Sequence, residues 1–371
     1  MRILILNWRD INNPSSGGAE ILTHEIAKRL VALGNHVVQF SSFFPGAYRK
    51  EVIDNVKIIR EGNADIRTLF ASVHFRAFLF YRKEKGKFDI VIDEIHGIPF
   101  FTPWYVKGKK IALICEVASD LWKEVFGSFF GLLGRIVEKF YLRLVYKNIQ
   151  FITISDSTKK DLVTDGVNKK NIAVLPMGVN VPQNIRDIKK EKEKTLIFVG
   201  RLTVAKGIEE TLNTLKEIAK RNKTVRLWIV GKGELGYVQK LKRMCKQLHI
   251  EDKVAFYGFV SENKKFALLA RAHLLIHPSL REGFGLTIPE AGYVGTPVVA
   301  YNSPGLRDIV INDRNGILVT ERSPESLAST IIQLLSNDFL YQKLCRGAKE
   351  EASRYSWNNT VNAMLNNLKK L

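Results

Sequence analysis

The sequence predicts an α/β protein of two doubly wound, Rossmann-like domains that face each other across a cleft. Three observations carry this expectation. The chain has 371 residues, more than the roughly 250–300 at which a single core stops growing, so two domains are expected. Short apolar runs rich in Val and Ile alternate with helical stretches along the chain, the order that gives parallel sheets with helices on both faces. A polar stretch rich in Asn, Lys and Asp, residues 180–194, interrupts the alternation, which then restarts.

In the first half, strands are expected at 2–7, 36–40, 56–60, 89–92, 110–114, 151–155 and 172–175. Their apolar runs are continuous rather than alternating, as in a sheet buried on both faces. The opening run, Ile3 to Leu6, is too short for the apolar core of a signal peptide and reads as a buried strand. Helices are expected at 19–33, ended by Gly34 where a left-handed glycine is favoured, and at 157–165. After the polar linker, strands are expected at 196–199, 225–230, 254–256, 274–277, 298–300 and 316–319. Ser323 before Pro324 marks a helix start, a capping hydroxyl followed by proline at the first helical position. The expected domains are therefore 1–180 and 181–356, with the crevice at the strand ends as the default site.

Apolar residues make up 46% and charged residues 25% of the chain, which excludes a disordered or fibrous protein. The three cysteines, Cys115, Cys245 and Cys345, are far apart and odd in number. That excludes a disulfide framework and a Cys-x-x-Cys metal site, and fits a reducing, cytoplasmic compartment. No apolar run reaches the roughly 18 residues of a membrane span. The net charge is +20, and residues 101–250 hold 29 Lys and Arg against 14 Asp and Glu, three quarters of the excess. Single runs such as Lys109-Lys110 and Lys189-Lys190 read as solvated surface. The excess as a whole suits an anionic partner: nucleic acid, phospholipid headgroups or a phosphorylated substrate.

Three stretches are candidates for chemistry. Gly231-Lys-Gly233-Glu-Leu-Gly236 has the spacing of a dinucleotide fingerprint, but the acid at Glu251 precedes the next strand instead of closing it. A tight strand-to-helix turn is the better reading. Gly200 to Gly207 places Arg201 at a strand's carboxyl end and Lys206 five residues later, two fixed cations suited to a diphosphate. In 278–290, Glu282 and Glu290 flank Gly283-Phe284-Gly285-Leu286-Thr287. Glycines let a backbone approach a ligand, helix-initial amides can hold phosphate, and carboxylates accept paired hydrogen bonds from sugar hydroxyls. Thr287 to Glu290 is equally a capping box, which would fold Glu290 back on its own helix.

The Gly200–Gly207 stretch and the run from Glu282 to Glu290, in this order and spacing, resemble the retaining nucleotide-sugar glycosyltransferases of family four, whose two-domain fold is called GT-B. Residues 14–20, with Gly17 and Gly18, resemble the family's glycine-rich loop, and residues 154–157 and 175–180 resemble the end of its acceptor domain. The resemblance implies a hexosyl transfer from a UDP-, GDP- or ADP-sugar to a hydroxyl of a glycan or lipid-linked acceptor. It implies that Arg201 and Lys206 neutralise the departing diphosphate and that Glu290 binds the ribose. Glu282 and the amides of Gly283, Phe284 and Gly285 would hold the donor sugar; Leu286, Thr287 and Gly18 would face the phosphates; Val260 would lie beside the base. His96 falls where family members often carry a histidine near the donor sugar. Glu94, Glu116 and Asp120 follow neighbouring strands and are candidates for acceptor contacts. A final helix, 357–371, would cross back onto the first domain. Retention is expected by same-face attack, a donor phosphate oxygen taking the acceptor proton. The sequence contains no Asp-x-Asp, so leaving-group charge is expected to fall to fixed cations and amides, with no metal and no cofactor.

Residues 120–147 read as one long helix with Trp122, Val125, Phe126, Phe129, Leu133, Ile136, Val137, Phe140 and Leu144 on a stripe, flanked by Lys123, Arg135, Lys139, Arg143 and Lys147. Most of the stripe is expected in the core. A basic helix with surplus aromatics also suits an anionic membrane surface, which places the protein on the cytoplasmic face of a membrane. The rival readings are a nucleotide-sugar epimerase or a phosphorylase of the same fold, and a basic nucleic-acid-binding protein. Zinc-finger spacing and RNA-recognition signatures are absent from the sequence, so nucleic acid is not an expected partner.

Overall fold

The computed structural model describes residues 1–118, 121–182 and 188–371. The chain divides into two units, Met1–Gly178 with Ser356–Leu371, and Val179–Tyr355. The first unit contains β1 (Arg2–Leu6), β2 (His36–Ser41), β3 (Lys50–Ile53), β4 (Val56–Arg60), β5 (Ile90–Glu94), β6 (Lys109–Leu113), β7 (Gln150–Thr153) and β8 (Ile172–Val174). They form one sheet in the order β3-β4-β2-β1-β5-β6-β7-β8. Every neighbouring pair is parallel except β3 with β4. Ile3, Leu4, Ile5 and Leu6 of the central strand are all buried, as a parallel sheet covered on both faces requires.

The chain runs outward one way from β1 through β2 to β4, then returns to β5 on the other side. β1 and β5 therefore straddle the topological switch point, where open α/β sheets bind ligands beyond their carboxyl ends. The hairpin strand β3 is absent from the sequence expectation. It lies at the sheet edge and reads Lys50-Glu51-Val52-Ile53, which is no continuous apolar run.

The second unit repeats the plan with β9 (Thr195–Val199), β10 (Arg226–Val230), β11 (Val254–Gly258), β12 (Leu274–His277), β13 (Val298–Tyr301) and β14 (Gly316–Val319). Its sheet is wholly parallel, ordered β11-β10-β9-β12-β13-β14, with its switch point between β9 and β12. Leu196, Phe198, Ile229 and Ile276 of the sheet pack with Leu212 of helix Ile208–Ala219 and Ile331 of helix Pro324–Ser336 in one core. The last helix, Trp357–Lys369, belongs to the first unit, where it packs on helix Gly18–Ala32. Thr360 donates to the Pro176 carbonyl at 2.6 Å, and a Cβ on Gly178 would stand 2.3 Å from the Trp357 ring.

Two surface expectations are corrected. Lys190 is not solvated: its ammonium is buried, donating to the Ala272 carbonyl and to Thr296 Oγ1 at 2.6 Å each, and burial lowers its pKa to about 8. The stretch expected as one helix over 120–147 is broken at Gly127, whose φ of 77° is left-handed, and it widens into a π-type turn at Tyr141–Val145. The side chains of Val125 and Phe126 lie outside the described residues. The apolar stripe from Phe129 to Leu144 faces away from the core, while Glu138 is fully buried. Glu138 accepts from the Ala118 amide at 2.9 Å, Trp122 Nε1 at 3.1 Å and Arg135 at 3.3 Å. Arg135 in turn holds the buried Asp165 through two bonds of 2.6 and 2.7 Å. This polar network turns the apolar face outward, because rotating it inward would strip buried charges of their partners.

Candidate active site

In the second unit, three loops leave the carboxyl ends of adjacent strands and are tied to one another. After β9, Gly200 leads to the exposed Arg201 and then to Lys206 and Gly207. Gly207 has φ 71°, and a Cβ there would stand 2.2 Å from the Pro278 carbonyl, so this loop touches the one after β12 backbone to backbone. The Leu280 amide and Ser279 Oγ both donate to the Ala205 carbonyl, at 3.0 and 3.1 Å. The loop after β13 joins them: the Glu282 amide donates to the Pro304 carbonyl, and a Cβ on Gly305 would stand 2.0 Å from the Glu282 carbonyl.

This lacing brings two of the expected charges together. Lys206 Nζ donates to Glu282 Oε1 at 2.6 Å. Burial pushes the Glu282 carboxyl up, but the Lys206 ammonium outweighs it with help from His277, and the net pKa is below the ordinary value. His277, the last residue of β12, stands 3.7 Å from the same oxygen, and burial holds its pKa down at about 4.

Glu290 does not close a capping box. Its helix, Thr287–Tyr293, has no side-chain cap, and the carboxylate instead receives Lys265 Nζ at 2.9 Å on Oε1. Among the described residues, Oε2 of Glu290 and Oγ1 of Thr287 are buried without a hydrogen-bond partner. Such atoms are costly unless something supplies the missing bond. Burial raises the Glu290 carboxyl, with Lys265 opposing. Lys265 sits on helix Glu262–Arg271, which starts just after the Gly258–Val260 turn. Phe284 is buried, against Tyr355 at 5.6 Å, and Gly285 has φ 89°.

The glycine-rich turn after β10 has a packing role. A Cβ on Gly231 would stand 1.8 Å from the Gly200 carbonyl, and one on Gly233 would stand 2.8 Å from Leu202. These glycines let two backbone turns cross, and the Leu202 amide donates to the Lys232 carbonyl at 2.9 Å.

At the switch point of the first unit, the loop after β1 is fixed from below. Asp10 is buried and accepts from Arg60 Nε and Nη2 at 2.7 and 2.8 Å, from Ser41 Oγ and from the Asn12 amide. The loop ends at Gly17, whose amide donates to Glu20 Oε2 at 2.7 Å, and the helix begins at Gly18. His96 follows β5. Its Nε2 lies 3.2 Å from Glu94 Oε1, and its ring stacks on Trp8 at 5.4 Å with an interplanar angle of 14°. Glu94 Oε2 accepts from Asn7 at 2.6 Å and Thr23 at 2.5 Å. Both Glu94 oxygens are thus taken inside the protein, and its contact is with His96 rather than with solvent. Burial raises its pKa despite His96 and Thr23, and the nearby Glu20 adds to the rise. Glu116 is half-buried beyond β6, and Asp120 lies outside the described residues.

Sequence reasoning misses Trp8, Asn7 and Thr23, which fix His96 and Glu94, and it misses Lys265 and His277. Trp8 and His277 carried one usable signal, since each is a large polar-tipped residue placed where a central strand ends.

Two mainly parallel sheets, each with polar residues gathered at its switch point, are the architecture of the GT-B fold. The comparisons place the chain in a family. The model for glycosyl transferases group 1 matches residues 181–354, and that for glycosyltransferase family 4 matches residues 16–183; the chain belongs to this family. An uncharacterized glycosyltransferase of Methanocaldococcus jannaschii is 30% identical over 236 residues, 60% of this chain and 60% of its own length. The glycogen synthase of Mycobacterium tuberculosis is 25% identical over 393 residues, covering 98% of this chain and 93% of its own. The crystal structure of Anabaena HepE in complex with UDP and glucose superposes with a TM-score of 0.78 at 19% identity, covering 100% of both chains, and shares the fold.

Proposed function

We propose that the protein transfers a hexosyl group from a nucleoside diphosphate sugar, held by the second unit, to a hydroxyl of a glycan or lipid-linked acceptor. The observation that carries this reading is the Glu290 carboxylate. It is held at one oxygen by Lys265 and buried without a partner at the other, next to the laced loops that present Lys206 and Glu282. A vicinal diol such as a ribose supplies the donor hydrogens that the second oxygen lacks. Arg201 and Lys206 take the diphosphate charge, and the amides of Gly283, Phe284, Gly285, Leu286 and Thr287 line the donor beside Glu282. Val260 borders the base. In the first unit Gly17 and Gly18 approach the phosphates, and His96, oriented by Glu94 and Trp8, meets the donor sugar. Glu116 and Asp120 belong to the acceptor side.

The transfer is metal-independent and retains the anomeric configuration, with a donor phosphate oxygen taking the acceptor proton as the glycosidic bond breaks. The two cations do the work of leaving-group stabilisation. Removing a preorganised charge at a leaving group costs about 100-fold or more in turnover, so Arg201→Ala and Lys206→Ala should each fall by that order with the fold intact. Calorimetric titration of UDP, GDP and ADP into the protein and into Glu290→Gln tests the ribose assignment. Equal affinity for both proteins overturns it. A chelator that abolishes transfer, with magnesium restoring it, overturns the metal-independent form, and the proton spectrum of the product reads the anomeric outcome.

A further inference from the structure

We infer that the outward face of the helical segment 128–144 is a docking surface for a lipid bilayer carrying anionic headgroups. Phe129, Phe130, Leu133, Ile136, Val137 and Phe140 are between 46% and 78% exposed. At 100° per residue all six fall within roughly a third of the helix circumference. Soluble proteins seldom leave so large a contiguous apolar patch in water.

The patch is not an accident of loose packing. The opposite face is pinned by the buried carboxylate of Glu138, by the Arg135–Asp165 pair, and by Trp122 lying over Gly134, where a Cβ would stand 2.7 Å from the ring. The segment is thus built with its charged network inside and its apolar residues outside. Turning it inward would leave those charges unpaired, so the helix cannot bury the patch by rotating.

Charge identifies the occupant. The described charged side chains on the exposed side of 128–147 are Lys139, Arg143 and Lys147, all cations, since Glu138 is buried and Arg135 is engaged with Asp165. On the helical wheel Lys139 lies beyond one edge of the apolar arc, and Arg143 and Lys147 follow at the C-terminal end of the segment. Apolar residues bordered by cations match acyl chains beneath anionic headgroups, whereas a second copy would place these cations against each other. Trp104 is a further exposed aromatic of the same unit, stacked on Phe101 at 4.7 Å. Tryptophan favours the depth where headgroups meet acyl chains. Among the described residues no helix is long and apolar enough to cross a membrane, so the segment lies in the interface plane, about 20 Å long for its 13 residues from 128 to 140.

The inference deepens the acceptor half of the proposed function and rests on it only for the use a membrane would have. The test is flotation of the full chain with vesicles of phosphatidylcholine, alone or with an equal share of phosphatidylglycerol, at low and high salt. Binding of UDP, GDP and ADP is measured on the same samples. Binding to the mixed vesicles at low salt, weakened by high salt and at least tenfold weaker on phosphatidylcholine alone, is expected. Ile136→Glu with Phe140→Glu should lose flotation at least tenfold with nucleoside diphosphate affinity unchanged; both side chains are exposed, so the fold should tolerate the change. Lys139→Glu with Arg143→Glu should lose the salt-dependent part only. Wild-type chain left unfloated at low salt, or a double variant that floats as well as wild type, overturns the inference. So does a dimer in solution that Ile136→Glu dissociates, since the face would then belong to a second copy. A wild type that binds none of UDP, GDP and ADP would count against the donor reading alone.

Discussion

Lys265 shows how one side chain sets the state of another. Its ammonium lies between Glu262 and Glu290, 2.9 Å from a carboxylate oxygen of each. Burial alone would lower its pKa, yet the two carboxylates outweigh it and the net pKa is raised. Lys265→Met removes the charge that opposes burial at Glu290, so its carboxyl, already raised, climbs further and holds its proton over a wider range of pH. A protonated Glu290 is a poor acceptor for ribose hydroxyls, so nucleoside diphosphate affinity should fall by about tenfold where the variant's carboxyl holds its proton, the effect of losing one charge-assisted hydrogen bond. The sign is specific: affinity should recover as pH rises and Glu290 ionises, whereas a merely structural defect would not. Calorimetry over a pH series in which both proteins stay folded checks this, and a pH-independent loss defeats it. This pairing was not legible in the sequence. The spacing of Glu282 and Glu290 was visible, but Lys265 comes from the preceding helix, and only the fold brings the two together. The capping-box pattern at Thr287 pointed to a different partner, and tertiary contact overrode it.

The loops at the strand ends are elements whose shape depends on glycine. Gly207 combines a left-handed φ of 71° with a Pro278 carbonyl 2.2 Å from where a Cβ would sit. Gly207→Ala must therefore both strain the backbone and part the two loops, at a cost of about 1–3 kcal/mol. Donor affinity should fall with stability, because Lys206 and Glu282 ride on those loops. Gly236, early in helix Leu235–Gln247, has open space around it, so Gly236→Ala should stabilise by up to about 1 kcal/mol through helix propensity alone. Urea unfolding of the two variants should show opposite signs, and a neutral Gly207→Ala would refute the lacing argument. The same contrast explains what could be read beforehand. Strands buried on both faces were legible because continuous Val and Ile runs have one stable home. The edge strand β3 was not, although its Asp54-Asn55 turn, with φ of 48° and 63°, had a recognisable signal in two residues that tolerate left-handed backbone. The aromatic stripe at 129–144 had the right helical period and the wrong face. Periodicity says which residues share a side, and the buried Glu138 and Arg135 decide which side is in.

At the scale of the whole molecule, buried histidines couple folding to pH. His273 and His277 of the second unit and His74 of the first are each held down at about 4, chiefly by burial. His273 Nδ1 also accepts the Thr195 amide at 3.1 Å, which requires an unprotonated ring nitrogen. An unfolded histidine takes up its proton near pH 6.5, while the folded one resists until about 4. Between those values the unfolded state binds more protons, so stability falls as pH falls, by up to about 1.4 kcal/mol per pH unit for each histidine. The raised carboxyl of Glu290 acts with the opposite sign, favouring the fold below its ordinary pKa and losing that contribution as pH rises. The sum is therefore less informative than a difference. His273→Asn keeps an acceptor for the Thr195 amide and removes the titrating group. Its urea stability, followed by hydrogen exchange in β12, should vary less between about pH 6.5 and 4.5 than that of the wild type, by up to about 1.4 kcal/mol per pH unit. Parallel curves for the two proteins would show that His273 takes up its proton equally readily in both states, and the burial argument would fail there. Exchange in β12 reports the second unit by itself, which matters because two units need not unfold as one transition.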